Sequence, residues 1–104
     1  MKKLSLRLSR IASFVPEGAF LADLGSDHGA LPIFLLNEGK ISFAQAIENK
    51  KGPFARLCKA INEECDDPTK VLLSLIYGIT DLDPRVDTVV IDGKGGRLIA
   101  SILN

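Results

Sequence analysis

Residues 21–32, LADLGSDHGALP, carry an apolar run into a carboxylate, a glycine, a second carboxylate, the chain's one histidine, another glycine and a proline. From Asp23 to Gly29 the spacing is D-x-G-x-x-x-G. Gly25 permits a tight turn against a ligand and Gly29 a close approach of helix to sheet, which suits a cofactor loop at a strand end. A dinucleotide fingerprint needs glycine where Asp27 stands, and a carboxylate there repels a pyrophosphate. S-adenosylmethionine carries no phosphate, and an acidic loop accommodates its ammonium and sulfonium. The structural alternative is a plain strand-to-helix turn in which Asp27 caps the helix.

Glu48 follows Gly25 by 23 residues, at the end of what reads as a second strand, where a carboxylate accepts hydrogen bonds from both hydroxyls of a ribose. Its alternative is an exposed acid beside Lys50 and Lys51, worth little to stability. A third segment, IDGKGG at 91–96, sets Gly93, Gly95 and Gly96 close together, so that backbone amides approach anything bound above them and Asp92 or its neighbours line a transfer site. A glycine-rich helix entry with Lys94 in solvent is the competing reading. His28 suits an orienting role in the first loop better than proton transfer. Cys58 and Cys65 have neither metal-ligand spacing nor an activating partner, so no metal site and no thiol nucleophile are expected.

The elements that must position these residues alternate. Leu4, Leu8, Ile11 and Val15 recur at helical spacing, with Lys2, Lys3, Arg7 and Arg10 between them, which predicts an amphipathic helix with a basic outer face, stopped by Pro16. GAFLADLG (18–25) reads as a buried strand. GALPIFLLNEGK (29–40) reads as a short helix with Pro32 in its first turn and Gly39 as its stop. ISFAQAIENKK (41–51) is the second strand. GPFARLCKAINEE (52–64) is a helix whose inward stripe is Phe54, Leu57, Cys58 and Ile61, with Pro53 suited to its first position. CDDPT is a loop, KVLLSLIYG (70–78) a third strand, DLDPR a turn and VDTVVIDG (86–93) a fourth strand. KGGRLIASILN (94–104) is expected to be a glycine-opened helix.

Continuous apolar strands alternating with helices predict an α/β fold with a parallel sheet and right-handed crossovers, whose ligands sit at the carboxyl ends of the strands. The three polar segments GSDHG, IENKKG and DGKGG all fall at that edge. A chain of 104 residues, 46% hydrophobic, closes one core and is expected to form a single domain. Thirteen basic residues balance thirteen acidic ones, so affinity for nucleic acid or an anionic membrane must come from local patches. Arg7 and Arg10 interrupt the only N-terminal apolar run, and nothing approaches the roughly 18 residues of a spanning helix. A cytoplasmic protein with reduced thiols is expected.

LSLRLSRIASFVPEGAFLADLGSDHGALP, AIENKKGPF and IDGKGGRLI, in this order and spacing, together resemble the start of the bacterial tRNA (adenine(22)-N(1))-methyltransferase family along nearly the whole chain. The resemblance implies a Rossmann-like class I methyltransferase half-domain with a four-stranded sheet ordered 3-2-1-4, S-adenosylmethionine as cofactor and tRNA as partner. It implies a first cofactor loop of Asp23, Gly25, Ser26, Asp27 and His28, a ribose held by Glu48, and Gly93, Gly95 and Gly96 beneath the methionine end. Lys2, Lys3, Arg7 and Arg10 would touch the tRNA backbone, with a solvated helix face as the alternative.

Two residues depart from the family pattern. Tyr77 precedes Gly78 where an acidic residue meets the adenine, so Tyr77 would stack instead; Lys94 replaces a methionine in the fourth-strand loop, where an inward cation opposes a sulfonium. Family members are roughly twice this length and hold the target base with later segments. The resemblance therefore implies either an enzyme incomplete in these residues alone or a catalytically silent cofactor-binding or interaction module. It also predicts an open fourth-strand edge through which copies or a partner chain associate.

Overall fold

The N-terminal helix spans Leu6–Phe14 (α1) in the computed structural model, which describes residues 4–26, 28–75, 82–93 and 96–101. Ser5 Oγ accepts from the Leu8 amide at 3.2 Å, satisfying a donor of the first turn that has no helical partner. Pro16 lies just past the C-cap Val15 and prevents continuation. There follow Ala19–Leu24 (β1), Ala30–Asn37 (α2), Ile41–Glu48 (β2), Lys51–Glu64 (α3), a 3₁₀ turn at Pro68–Lys70, Val71–Leu75 (β3), Thr88–Gly93 (β4) and Gly96–Ser101 (β5). Pro53 is the third residue of α3 rather than the first. The missing N–H costs nothing there either, because the first turn has no acceptor for it.

The sheet runs β3-β2-β1-β4-β5. Its first four strands are mutually parallel, in the order the family resemblance implies. The helix expected over 94–104 is not found among the described residues of that segment: Gly96–Ser101 is a strand, antiparallel to β4, with Gly93 opposite Gly96 and Thr88 opposite Ser101. A short apolar run such as RLIAS fits either element by periodicity, and the unpaired backbone groups of β4 favour the strand. The open fourth-strand edge is corrected with it, because β5 covers that side and the sheet ends at β3 and β5.

The chain moves from β1 to β2 to β3 in one direction across the sheet, so right-handed crossovers place α2 and α3 on one face. Leu21, Ala44 and Val90 pack there against Leu31, Leu35, Ala12 of α1 and its C-cap Val15. Ala46 packs against Leu57, Ala60 and Ile61 of α3. The return from β3 to β4 runs the opposite way and must use the other face. Val86 accordingly packs with Ala22, Ile47 and Val89, joined by Leu82.

Polar contacts fix this returning segment. The buried Gln45 accepts from the Asp83 amide at 2.8 Å and donates to Ser74 Oγ at 3.1 Å. Asp83 holds the Arg85 side chain through two contacts of 2.9 and 3.0 Å and its amide through a third of 2.8 Å, and the Arg85 guanidinium lies 5.3 and 4.8 Å from the ring centres of Phe20 and Phe43.

Candidate functional site

The strand order reverses between β1 and β4, because the chain leaves β1 toward β2 on one side and meets β4 on the other. In an open parallel sheet this is where the loops at the carboxyl ends separate and leave a crevice. Leu24 pairs with Ile47 on one side and with Ile91 on the other. The residues that follow, Gly25, Glu48 and Asp92, therefore sit side by side at one edge. The described residues of the GSDHG, IENKKG and DGKGG segments share that edge, as their strand assignments predict.

The first loop is tied directly to the end of β2. The amides of Gly25 and Ser26 both donate to the Ile47 carbonyl, at 3.0 and 3.2 Å, one residue before Glu48. Gly25 has φ +74°, a backbone conformation that side-chain-bearing residues adopt only with strain. That turn brings the chain back over the sheet edge. Ser26 is buried, and its hydroxyl donates to Asp23 Oδ2 at 2.9 Å.

Asp23 is fully buried within β1, so its contact with Ser26 braces the base of the loop. Gly29 closes the loop: its amide donates to the Ser26 carbonyl at 2.9 Å and it stands at the N-cap of α2 with φ +68°. A Cβ there would lie 3.0 Å from Leu57 Cδ1 and 3.4 Å from Ile33 and Ile61. The second glycine thus permits a close approach of α2 to α3, where the sequence led us to expect one of helix to sheet.

Glu48 is the last residue of β2 and only 7% exposed. Asp23 pairs laterally with Ala46, and side chains alternate along a strand, so Asp23 and Glu48 belong to the same face, with Glu48 nearer the edge. The exposed surface acid that the sequence left open as an alternative is not what is found. His28 is exposed. It lines a cavity of about 540 Å³ between the helices, together with Leu4, Leu8, Ile33, Phe34 and Glu63. It therefore borders the helical side of the loop.

Gly93 ends β4 beside the loop. Arg7 and Arg10 are exposed on α1. Asp27, Tyr77, Gly78, Lys94, Gly95, Lys2 and Lys3 lie outside the described residues. Sequence reasoning did not find the Ile47 carbonyl that anchors the loop, because a backbone acceptor leaves no trace in residue type. Nor did it find Gln45, whose signal was a lone amide within an otherwise apolar strand.

Known proteins share this fold. A family model described as "Methyltransferase domain" matches residues 4–104. The chain belongs to that family. This methyltransferase domain is 36% identical over 102 residues to the tRNA (adenine(22)-N(1))-methyltransferase of Bacillus subtilis, covering 97% of the chain and 42% of that relative. It thus spans less than half the length of the curated relative, and it corresponds to the relative's N-terminal part.

Among solved structures, the domain is similar to Streptococcus pneumoniae Sp1610 in complex with S-adenosyl-L-methionine, with a TM-score of 0.77 and 37% identity over 88% of this chain and 43% of that one. The B. subtilis M1A22 tRNA methyltransferase TrmK gives a TM-score of 0.79 and 31% identity over 86% of this chain and 38% of the other.

Proposed function

We propose that this chain binds S-adenosylmethionine at the β1–β4 switch point and serves methyl transfer to N1 of an adenine in tRNA, in the cytoplasm. The observation that carries the reading is the buried Glu48 carboxylate beside a glycine turn pinned to the Ile47 carbonyl. The donor set suits the adenosyl group. A strand-end carboxylate shielded from water pairs with two ribose hydroxyls, and a phosphate-free ligand tolerates the acidic sequence around it. The similarity to Sp1610, which is described in complex with this cofactor, supports the same assignment.

In this reading Glu48 holds the ribose. Gly25 and Ser26 bring the loop backbone against the ligand while Asp23 braces that loop from below, and Gly93 with Gly95 borders the methionine end. Tyr77 and Gly78 are assigned to the adenine, and Asp27 to the cationic part of the ligand. When bound, the cofactor supplies a methyl group activated by its attachment to a positive sulfur. Adenine N1 already carries an available lone pair, so no side chain is asked to remove a proton. The protein's contribution is orientation, which alone removes much of a bimolecular barrier.

The test is calorimetric titration of the 104-residue chain with S-adenosylhomocysteine. Glu48→Ala is expected to weaken binding by about 1–3 kcal/mol, roughly 5- to 150-fold in Kd. Unchanged affinity removes Glu48 from the site. Transfer of labelled methyl to unmodified tRNA then separates an enzyme from a silent cofactor-binding module.

A further inference from the structure

One face of α1 has no partner among the described residues. Leu6 and Phe14 are the most exposed large apolar side chains among the described residues, at 83% and 67%. Arg7 and Arg10 between them are exposed as well. At 3.6 residues per turn, Leu6, Arg7, Arg10 and Phe14 fall within an arc of about 100°, opposite the stripe that buries Ala12 and carries Leu8 and Ile11 inward. Ser9 and Ser13 border the arc on one side, and no carboxylate occurs anywhere in the helix. Single exposed apolar residues are ordinary, but two of them set around two arginines, on a helix with no acid of its own, form a cationic surface with an aromatic at its C-terminal end.

The face also has a fixed relation to the candidate site. Leu4, Ser5 and Leu8 line the same cavity as His28, two residues beyond Ser26, so the N-terminal turn of α1 stands next to the loop that leaves β1. The helix then leads away from that edge toward Phe14.

Resting on the tRNA reading above, we infer that this face docks the RNA at an unpaired region, with Phe14 stacking on an exposed base and Arg7 and Arg10 contacting the flanking phosphates. Bases are available for stacking on aromatic side chains where RNA is single-stranded, in loops, bulges and ends, whereas a duplex offers only its backbone and grooves. Arginine gives phosphate contacts that orient the strand. Phe14 thus selects unpaired over paired RNA, which the arginines alone cannot do.

The experiment measures binding of unmodified tRNA, a loop-containing RNA and a plain RNA duplex to the intact chain across a salt series, with S-adenosylhomocysteine titrated in parallel. Phe14→Ala is expected to weaken tRNA and loop binding about 5- to 150-fold at every salt concentration, to leave duplex binding unchanged, and to be rescued by Phe14→Tyr. Arg7→Gln and Arg10→Gln are each expected to reduce the slope of log K against log salt by about 0.7–0.9 on all RNAs. Cofactor affinity should not move in any of these variants.

Unaltered loop binding by Phe14→Ala overturns the inference, as does Phe14-dependent binding to anionic vesicles or Phe14-dependent self-association with no RNA affinity. A chain that binds S-adenosylhomocysteine but not RNA sinks this docking face and leaves the cofactor reading intact. Phe14-dependent RNA binding without cofactor affinity does the reverse.

Discussion

The Ser26 hydroxyl supports the first loop from within. It donates to the buried Asp23 carboxylate, and a buried acceptor deprived of a donor retains its desolvation cost. Ser26→Ala is therefore expected to lower unfolding free energy by about 1–3 kcal/mol, measured by urea denaturation, and to raise the Kd for S-adenosylhomocysteine as the loop loosens. The cysteines differ by the same logic. Burial pushes the Cys65 thiol up, against a smaller lowering from the backbone of Asp67, while Cys58 is half-buried. Since the thiolate is the reactive form, iodoacetamide should label Cys58 first in the native protein and reach Cys65 only on unfolding; equal rates by peptide mass spectrometry would contradict this. Gly25, Gly29 and Glu48 were legible as residues because each has a distinctive type at a distinctive spacing. The bracing role of Asp23 was not, since sequence cannot distinguish a carboxylate facing a ligand from one facing its own loop.

Elements were legible where a long periodic pattern met a clear stop, as in α1 before Pro16 and α3 with its Leu57 and Ile61 stripe. The one element assigned wrongly, over 94–104, has a short apolar run whose state depends on what lies beside it. There the exposed edge of β4, a non-local partner, decided for the strand. Close contact between elements also creates a specific vulnerability at Gly29. Alanine there combines a positive φ with a Cβ 3.0 Å from Leu57 Cδ1, so Gly29→Ala is expected to cost about 1–3 kcal/mol. Calorimetric melting checks it, and a gain in melting temperature would show that the α2–α3 approach is looser than described.

Across the whole molecule, one sheet face is covered by α1, α2 and α3, while the described covering of the other is the segment that returns to β4. That segment is held by Gln45 and by the Asp83–Arg85 pair. Hydrogen bonds from the Arg85 side chain and then its backbone hold the Asp83 carboxyl down to about 2. A carboxylate whose folded pKa lies below its ordinary value of about 4 contributes stability above that value and loses it as pH falls toward about 2. Denaturation between pH 5 and pH 2 should therefore show an acid-side loss that Asp83→Asn partly removes; identical pH profiles would assign the loss to other groups. The order 3-2-1-4 was implied by the family resemblance, while the parallel sheet itself was readable from strand and helix alternation. The covering of the second face was not, because it depends on a loop with little periodicity of its own.

At this scale the reading rests on one sheet edge, the switch point beyond Leu24 and Ile91 with Glu48 beside it. Its most direct test is a crystal structure of this chain with S-adenosylhomocysteine bound. The account predicts both ribose hydroxyls within hydrogen-bonding distance of the Glu48 carboxylate and the ligand lying across the Gly25–Ser26 turn. A ligand seated instead in the cavity between the helices, or a ribose with no contact to Glu48, would contradict it.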